Sequence, residues 1–384
     1  MKVLLVNHVA RMSGAEASLL GLARGLPGQG FEVEVALPPG GPLAERLAGL
    51  AVPLHPVGLA RLKRRASPLR QLGAAVRLGM SARLLAGVAR RRGVALIDAN
   101  STTAALAALL AARWAGVPGI WHVRDLVSLA GFGPRLGRLA ARVIAISGAV
   151  ADSLRQCGVD PARIRVVPNG IDPEAFRPDP EAGARLRREL GLPPEAFVVA
   201  SVGQIVPWKG HHVLLDALGR LRRAGSAGDL RALIAGADLF GDHPDYEALL
   251  RARAQAPDLA GAVCFLGHRT DVAAVYNAAD LFVLASRREP FGRALVEAMA
   301  CAKPVIASRE GGPAEIITEG VEGLLLPPAD PEALAAAISR IHHDPELAGR
   351  LGEAGRRRVL ADYPEALTVA RTAAVYREVL PTPK

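Results

Sequence analysis

Two glutamates eight positions apart, Glu289 and Glu297, stand in the stretch ASRREPFGRALVEAMACAKPVIASREGGPAE, residues 285–315. The spacing alone carries little. The setting carries more: Pro290-Phe291-Gly292 follows the first glutamate, an apolar helical segment holds the second, and a short strand leads to a glycine turn at Gly311-Gly312. Strand, glycine loop and helix start together aim backbone N–H groups at an anion. The two carboxylates remain to accept from vicinal hydroxyls. The combination reads as the binding floor for a sugar nucleotide; its bland alternative is a helix with a solvated acidic face.

Other groups could share that chemistry. In VGQIVPWKG, residues 202–210, Gly203 lets backbone approach a phosphate and Lys209 supplies a charge at the next helix start. Gln204 sits between them. In SGAE, Gly14 opens the first helix with Glu16 one turn in, which a plain helix cap also explains. In WHVRD, residues 121–125, His122 is placed at the mouth of a sheet and Asp125 is a weaker candidate. The pairs His211-His212 and His342-His343 are no metal site, because helical neighbours do not face one another.

These residues need elements to hold them. Apolar segments such as KVLLV, VALID, GIWHV, FVVASV and LFVLA alternate with helical stretches across the 384 residues. That pattern predicts parallel sheets covered on both faces. The fold class expected is α/β, two doubly wound Rossmann-like domains facing across a cleft, with the site residues at the carboxyl ends of the strands. The expected organisation is an acceptor-side domain over 1–172, a Pro-rich linker over 173–194, a nucleotide-sugar domain over 195–363, and a tail helix over 364–384 that crosses back to the first domain.

Net charge is +10, unevenly placed: 22 Lys and Arg against 8 acids in residues 1–170, and 25 against 29 in the rest. With few aromatics and no zinc-finger or RNP-type motif, a nucleic-acid partner is not expected. Three scattered cysteines fit a reducing compartment, and no apolar run spans a membrane. The expected location is the cytoplasm. No acid lies between Glu45 and Asp98, where eleven Lys or Arg occur. Leu72, Val76, Met80, Leu84 and Val88 form one apolar stripe there. A helix packed on its sheet with a solvated basic face explains the stripe. Docking of residues 61–92 on an anionic membrane at the inner face is the alternative, and attraction of an anionic acceptor a third use.

The segment EPFGRALVEAMACAKPVIASREGGPAEIITEGVEGLLLPPADPEALAAAI resembles the signature of family 4 retaining glycosyltransferases, which have the GT-B fold. SGAE, WHVRD, VVPNGID, VGQIVPWKG and FLGHRTD extend the resemblance over nearly the whole chain. It implies that Glu297 holds the ribose diol, that Glu289 contacts the donor sugar, and that the backbone of Phe291, Gly292 and Arg293 meets the sugar and diphosphate. It implies that Gly14 lies against the donor, that His122 lies beside the reaction centre, and that backbone near His268 and Arg269 meets the base. Lys209 would meet the diphosphate. Two positions depart from the family pattern: Gln204 stands near where an Arg is usual, and Ala302 where Gly is usual.

The expectation is a metal-independent retaining transferase moving a sugar from a UDP- or GDP-linked donor to a glycan or lipid-linked acceptor, with no further cofactor. No DxD carboxylate cluster stands near the proposed site. A nucleotide-sugar epimerase or hydrolase on the same fold, and a non-catalytic sugar-nucleotide binder, are the rivals. A dinucleotide dehydrogenase is disfavoured, since no strand leads into a full G-x-G-x-x-G.

Overall fold

A computed structural model describes residues 1–59, 68–128, 131–225 and 229–381, with only the backbone for 68–72. The chain divides into two compact units, residues 1–170 with 365–384, and residues 171–364.

The first unit runs β1 (Lys2–Val6), α1 (Gly14–Gly25), β2 (Glu32–Leu37), α2 (Pro42–Gly49), β3 (Leu54–Pro56), α3 (Pro68–Arg92), β4 (Leu96–Ala99), α4 (Thr102–Ala115), β5 (Gly119–Val123), α5 (Gly133–Leu139), β6 (Arg142–Ala145), α6 (Gly148–Gln156) and β7 (Ile164–Val166). Its strands form one parallel sheet in the order β3-β2-β1-β4-β5-β6-β7. Val3 to Val6 of the central strand are at most 1% exposed, because helices cover both faces and every side chain of a central parallel strand is interior. Helix starts follow capping chemistry. Ser101 accepts from Ala104 N at 3.2 Å ahead of α4, and Ser147 from Val150 N at 3.1 Å ahead of α6.

The second unit runs α7 (Pro180–Glu189), β8 (Phe197–Val202), α8 (His211–Arg223), β9 (Leu230–Ala235), α9 (Pro244–Ala254), β10 (Val263–Gly267), α10 (Val272–Ala278), β11 (Leu281–Leu284), α11 (Arg293–Ala300), β12 (Val305–Ser308), α12 (Pro313–Ile316), β13 (Leu324–Leu326), α13 (Pro331–His343) and α14 (Pro345–Asp362). Its parallel sheet has the order β10-β9-β8-β11-β12-β13. The stretch expected as linker is partly helical: α7 packs on α10, and Arg187 donates to Ala278 O at 2.8 Å and to Asp280 Oδ2 at 2.6 Å. Asp179 caps α7 by accepting from Ala182 N at 2.9 Å.

The final helix, α15 (Glu365–Val379), belongs to the first unit. Val369, Ala373 and Tyr376 join Leu5, Leu19 and Phe31 in its core, with Phe31 edge-on to Tyr376 at 5.6 Å.

The apolar stripe of α3 is not buried as a sheet-packing helix requires. Val76, Met80 and Leu84 are 55%, 59% and 56% exposed, while Val88 is interior. The packed face is instead built from Ala74, Ser81, Ala82, Leu85, Ala86 and Ala89. It lies against alanine-rich α4. Of the basic segment, residues 61–67 lie outside the described residues. Among the described residues no helix is long and apolar enough to cross a membrane.

Candidate functional site

The candidate groups of the second unit gather at the carboxyl ends of β8 and β11. After β8 the chain passes Gly203 and Gln204 into a single 3-10 turn, Pro207–Lys209, that delivers Lys209 just before α8. Gly210 links them at φ +73°, and a Cβ there would lie 2.1 Å from Ala285 O. The glycine therefore serves two needs, a left-handed backbone and contact with the end of β11. The Gln204 carbonyl is held by the ring of buried His211 at 3.1 Å. Burial drives the His211 imidazole down from its ordinary 6.5 to about 4, so its ring is neutral and can hold that carbonyl only through Nε2–H.

Lys209 Nζ meets Glu289 Oε2 at 2.7 Å and lies 4.4 Å over the Trp208 ring. Both side chains are largely withdrawn from water, at 14% and 7% exposure. Glu289 is fixed by the glycine turn singled out in the sequence. Gly312 N donates to Glu289 O at 2.9 Å, Gly311 sits at φ +86°, and a Cβ on Gly311 would fall 2.1 Å from that same carbonyl oxygen. Ser286, between β11 and Glu289, is fully buried, and its hydroxyl has no hydrogen-bond partner among the described residues.

Gly292, at φ +103°, is the N-cap of α11, and Phe291 before it is buried. Arg293 begins the helix, and one turn on its Nε donates to Glu297 Oε1 at 2.8 Å. The other carboxylate oxygen accepts from Tyr276 Oη at 2.8 Å. Tyr276 is wholly buried, edge-on to Phe176 at 6.1 Å and to Phe282 at 5.5 Å. Burial raises the Glu297 carboxyl above its ordinary range, and the Arg293 charge and Tyr276 hydroxyl pull it back. A carboxylate fixed on both oxygens keeps its remaining lone pairs for a ligand in one orientation. Ala302, two residues past α11, has φ +57°, a left-handed conformation that favours glycine.

His268 and Arg269 follow β10. His268 is exposed. The Arg269 guanidinium is engaged by Asp271 at 2.6 and 2.8 Å and by Glu189 of α7 at 3.6 Å.

In the first unit Gly14 begins α1. Its acid is no solvated cap. Glu16 is 2% exposed, bonded by the Ser13 hydroxyl and by Asn7 Nδ2 at 3.1 Å. The sequence placed His122 at a strand end at the mouth of the sheet, and the structure has it at the carboxyl end of β5 but buried. His122 is the penultimate residue of β5, 1% exposed, and neither ring nitrogen has a hydrogen-bond partner among the described residues. Nδ1 approaches Asp98 Oδ2 at 3.5 Å, an electrostatic contact too long for a good hydrogen bond. Tyr376 of α15 donates to the same oxygen at 2.5 Å. Burial first, then the Arg124 charge, lower the His122 pKa against the opposing pull of Asp98.

Directly after β5 stands Arg124, which is buried. It donates to Asn100 Oδ1 at 2.6 and 2.9 Å and to Asn169 Oδ1 at 2.9 Å. Asn100 bonds Asn7, and Ser18 bonds Asn169. Sequence reading missed this buried network, although each member stands just after a strand or in the first turns of α1, where a polar residue after an apolar run is the available signal. Among the described residues no cluster of three or more His, Cys, Asp or Glu could hold a metal ion.

Residues 184–358 match the family model for glycosyl transferases group 1, and residues 12–175 that for Glycosyltransferase Family 4. The D-inositol 3-phosphate glycosyltransferase of Corynebacterium glutamicum is 34% identical over 60% of this chain and 55% of its own length. That of Segniliparus rotundus is 36% identical over 57% and 49%. The chain thus spans about half the length of these curated relatives. The crystal structure of Anabaena Alr3699/HepE with UDP-glucose superposes with a TM-score of 0.84 at 28% identity, covering 99% of this chain and 100% of that one. A glycosyltransferase of Rickettsia africae shares the fold at TM-score 0.82 and 22% identity, covering 98% of each chain. With both units matched by family models and the two-sheet architecture shared, the chain belongs to the family 4, group 1 type glycosyltransferases of GT-B fold.

Proposed function

We propose that this chain is a retaining glycosyltransferase that moves a sugar from a nucleoside-diphosphate sugar to an acceptor hydroxyl. The observation that carries the reading is the paired arrangement Lys209–Glu289 and Arg293–Glu297 at the carboxyl ends of one parallel sheet. A cation and a carboxylate stand ready for phosphate and sugar, and a second carboxylate, locked by Tyr276, stands ready for a diol. UDP-glucose is the first donor to test, since HepE, similar over the whole chain, was crystallised with it.

In this reading the bond from the anomeric carbon to the β-phosphate oxygen breaks, and the acceptor oxygen bonds to the same face of that carbon. The departing phosphate takes the acceptor proton. Charge developing on the diphosphate is met by Lys209 and by the N–H groups that open α11. Glu289 orients the sugar and Glu297 the ribose, so neither carboxylate serves as a covalent nucleophile. His122, as the family resemblance implies, is proposed to lie beside the reaction centre.

Incubating the protein with UDP-glucose, GDP- and ADP-linked sugars tests this, with and without a panel of glycan, lipid-linked and inositol-phosphate acceptors. Acceptor-dependent release of nucleoside diphosphate, unaffected by EDTA, is the expected result. Equal release without acceptor favours a hydrolase. Tight donor binding with no turnover on any acceptor favours a binding protein.

A further inference from the structure

The outward face of α3 has a composition that a water-facing helix does not need. Val76, Met80 and Leu84 are each more than half exposed over three successive turns. Four-residue steps advance by about 40° around a helix, so these side chains form one ridge, roughly 12 Å long at 1.5 Å per residue. At about 100° per residue, Arg77 and Arg83 flank this ridge on opposite sides, with Arg91 further along the same face. All three arginines are exposed. No acid occurs between Glu45 and Asp98, so none within the helix balances them. Nearby, α4 packs on α3 and Arg90 donates to the carbonyl of Trp114, whose indole is 40% exposed.

The helix keeps this ridge outside by choice of packing face. Its inner face, rich in alanine, is buried and packs against α4. Ser81, on that side, donates to Gly58 O at 2.7 Å. The ridge is therefore spare apolar surface. Apolar side chains bordered by long arginines suit the boundary between acyl chains and anionic headgroups. There the arginine stems cover apolar surface while their heads reach phosphate. A protein partner would have to supply an apolar groove rimmed with acids; a bilayer rich in anionic lipid offers both features without a dedicated fit.

We propose that the outward face of α3 docks the protein in the plane of an anionic lipid bilayer, with Val76, Met80 and Leu84 entering the headgroup boundary and Arg77, Arg83 and Arg91 contacting lipid phosphates. The inference does not depend on the donor or acceptor of the proposed reaction.

The test is co-sedimentation of the full chain with vesicles of phosphatidylcholine alone and of phosphatidylcholine with phosphatidylglycerol, at low and high salt. The expected result is binding to the anionic vesicles only, weakened by salt. Neutralising Arg77, Arg83 and Arg91 to Gln should lower partitioning roughly fivefold per arginine. A triple variant Val76→Ser, Met80→Ser, Leu84→Ser should lose binding while keeping the charge. These positions are exposed, so both variants should unfold at the wild-type temperature, which checks that the fold is intact. Three results overturn the proposal. Equal sedimentation with neutral and anionic vesicles, or none with either, is the first. Unchanged binding of the serine variant is the second, since it reduces the effect to diffuse charge. The third is a dimer in light scattering that the serine variant dissociates, which makes the ridge an interface between copies.

Discussion

Replacing Glu289 by glutamine tests the proposed site most directly, because one change should move three observables in different directions. Glutamine keeps the size of the side chain and an oxygen that can accept from Lys209. Only the charge is lost. The 2.7 Å contact between two largely buried partners is a charge-assisted hydrogen bond, of a class worth about 1.5–3 kcal/mol. The neutral replacement bond and the face of Trp208, 4.4 Å from Nζ, recover part of it, leaving a loss on the order of 1–2 kcal/mol. In a unit of this size that lowers the melting temperature by roughly 2–8 °C. The same charge opposes an incoming diphosphate and competes for Lys209. Its removal should therefore tighten UDP binding by a similar energy, roughly five- to thirtyfold. Transfer should meanwhile fall, because the group proposed to orient the sugar has lost its charge. Thermal unfolding, calorimetric titration with UDP, and a transfer assay on the same preparation read the three effects. Weaker UDP binding in Glu289→Gln would refute the reasoning, as would destabilisation with unchanged UDP affinity, since either means that Lys209 does not exchange the carboxylate for phosphate.

Three further predictions rest on separate contacts. Tyr276→Phe keeps the ring packed between Phe176 and Phe282 but removes the donor to Glu297. KM for the donor should rise about tenfold, as for loss of one hydrogen bond to a charged group. The rise should shrink with a 2′-deoxyribose donor, and an equal rise with both donors would leave Tyr276 a purely structural residue. Buried His211 has a folded-state pKa of about 4 against an ordinary 6.5. The unfolded chain takes up its proton first as pH falls, so stability is full above 6.5 and is lost progressively toward 4, by about 3 kcal/mol at about 1.4 kcal/mol per pH unit. Denaturant titrations of wild type and His211→Asn across that window should show the slope in the first and its reduction in the second. Ala302→Gly relieves a left-handed alanine at φ +57°. Glycine's greater unfolded entropy offsets part of the relief, so calorimetry should show a stability gain of about 0.5–1 kcal/mol.

The order of elements was legible because period-2 and period-3.6 patterns are local properties. β5, read from GIWHV, and α3, read between Pro68 and Arg92, stand where the sequence places them. The glycine turn at Gly311-Gly312 was also legible, since only residues without Cβ can lie against the backbone of Glu289 and Phe291. The pairing of Lys209 with Glu289, eighty residues apart, was not. It follows from β8 and β11 being hydrogen-bonded neighbours, and sheet order is a long-range outcome.

His122 and α3 mark the limit most clearly. Period 2 says that His122 and Val123 face opposite sides of the sheet, and the tail helix was expected to cross back, but neither says that its Tyr376 would bond the same Asp98 oxygen that the buried imidazole approaches. In α3 the sequence carries two apolar faces, one large and one of alanines, and periodicity cannot rank them. Tertiary packing chose the alanines because small side chains let α3 close onto the alanines of α4, and the separation of packed helices is set by the side chains at their contact. Composition and motif spacing thus determined the family, the two sheets and the residue types at the strand ends. Which ionic groups meet, which histidine is sealed and which apolar face is left to water were decided by the packing of distant segments.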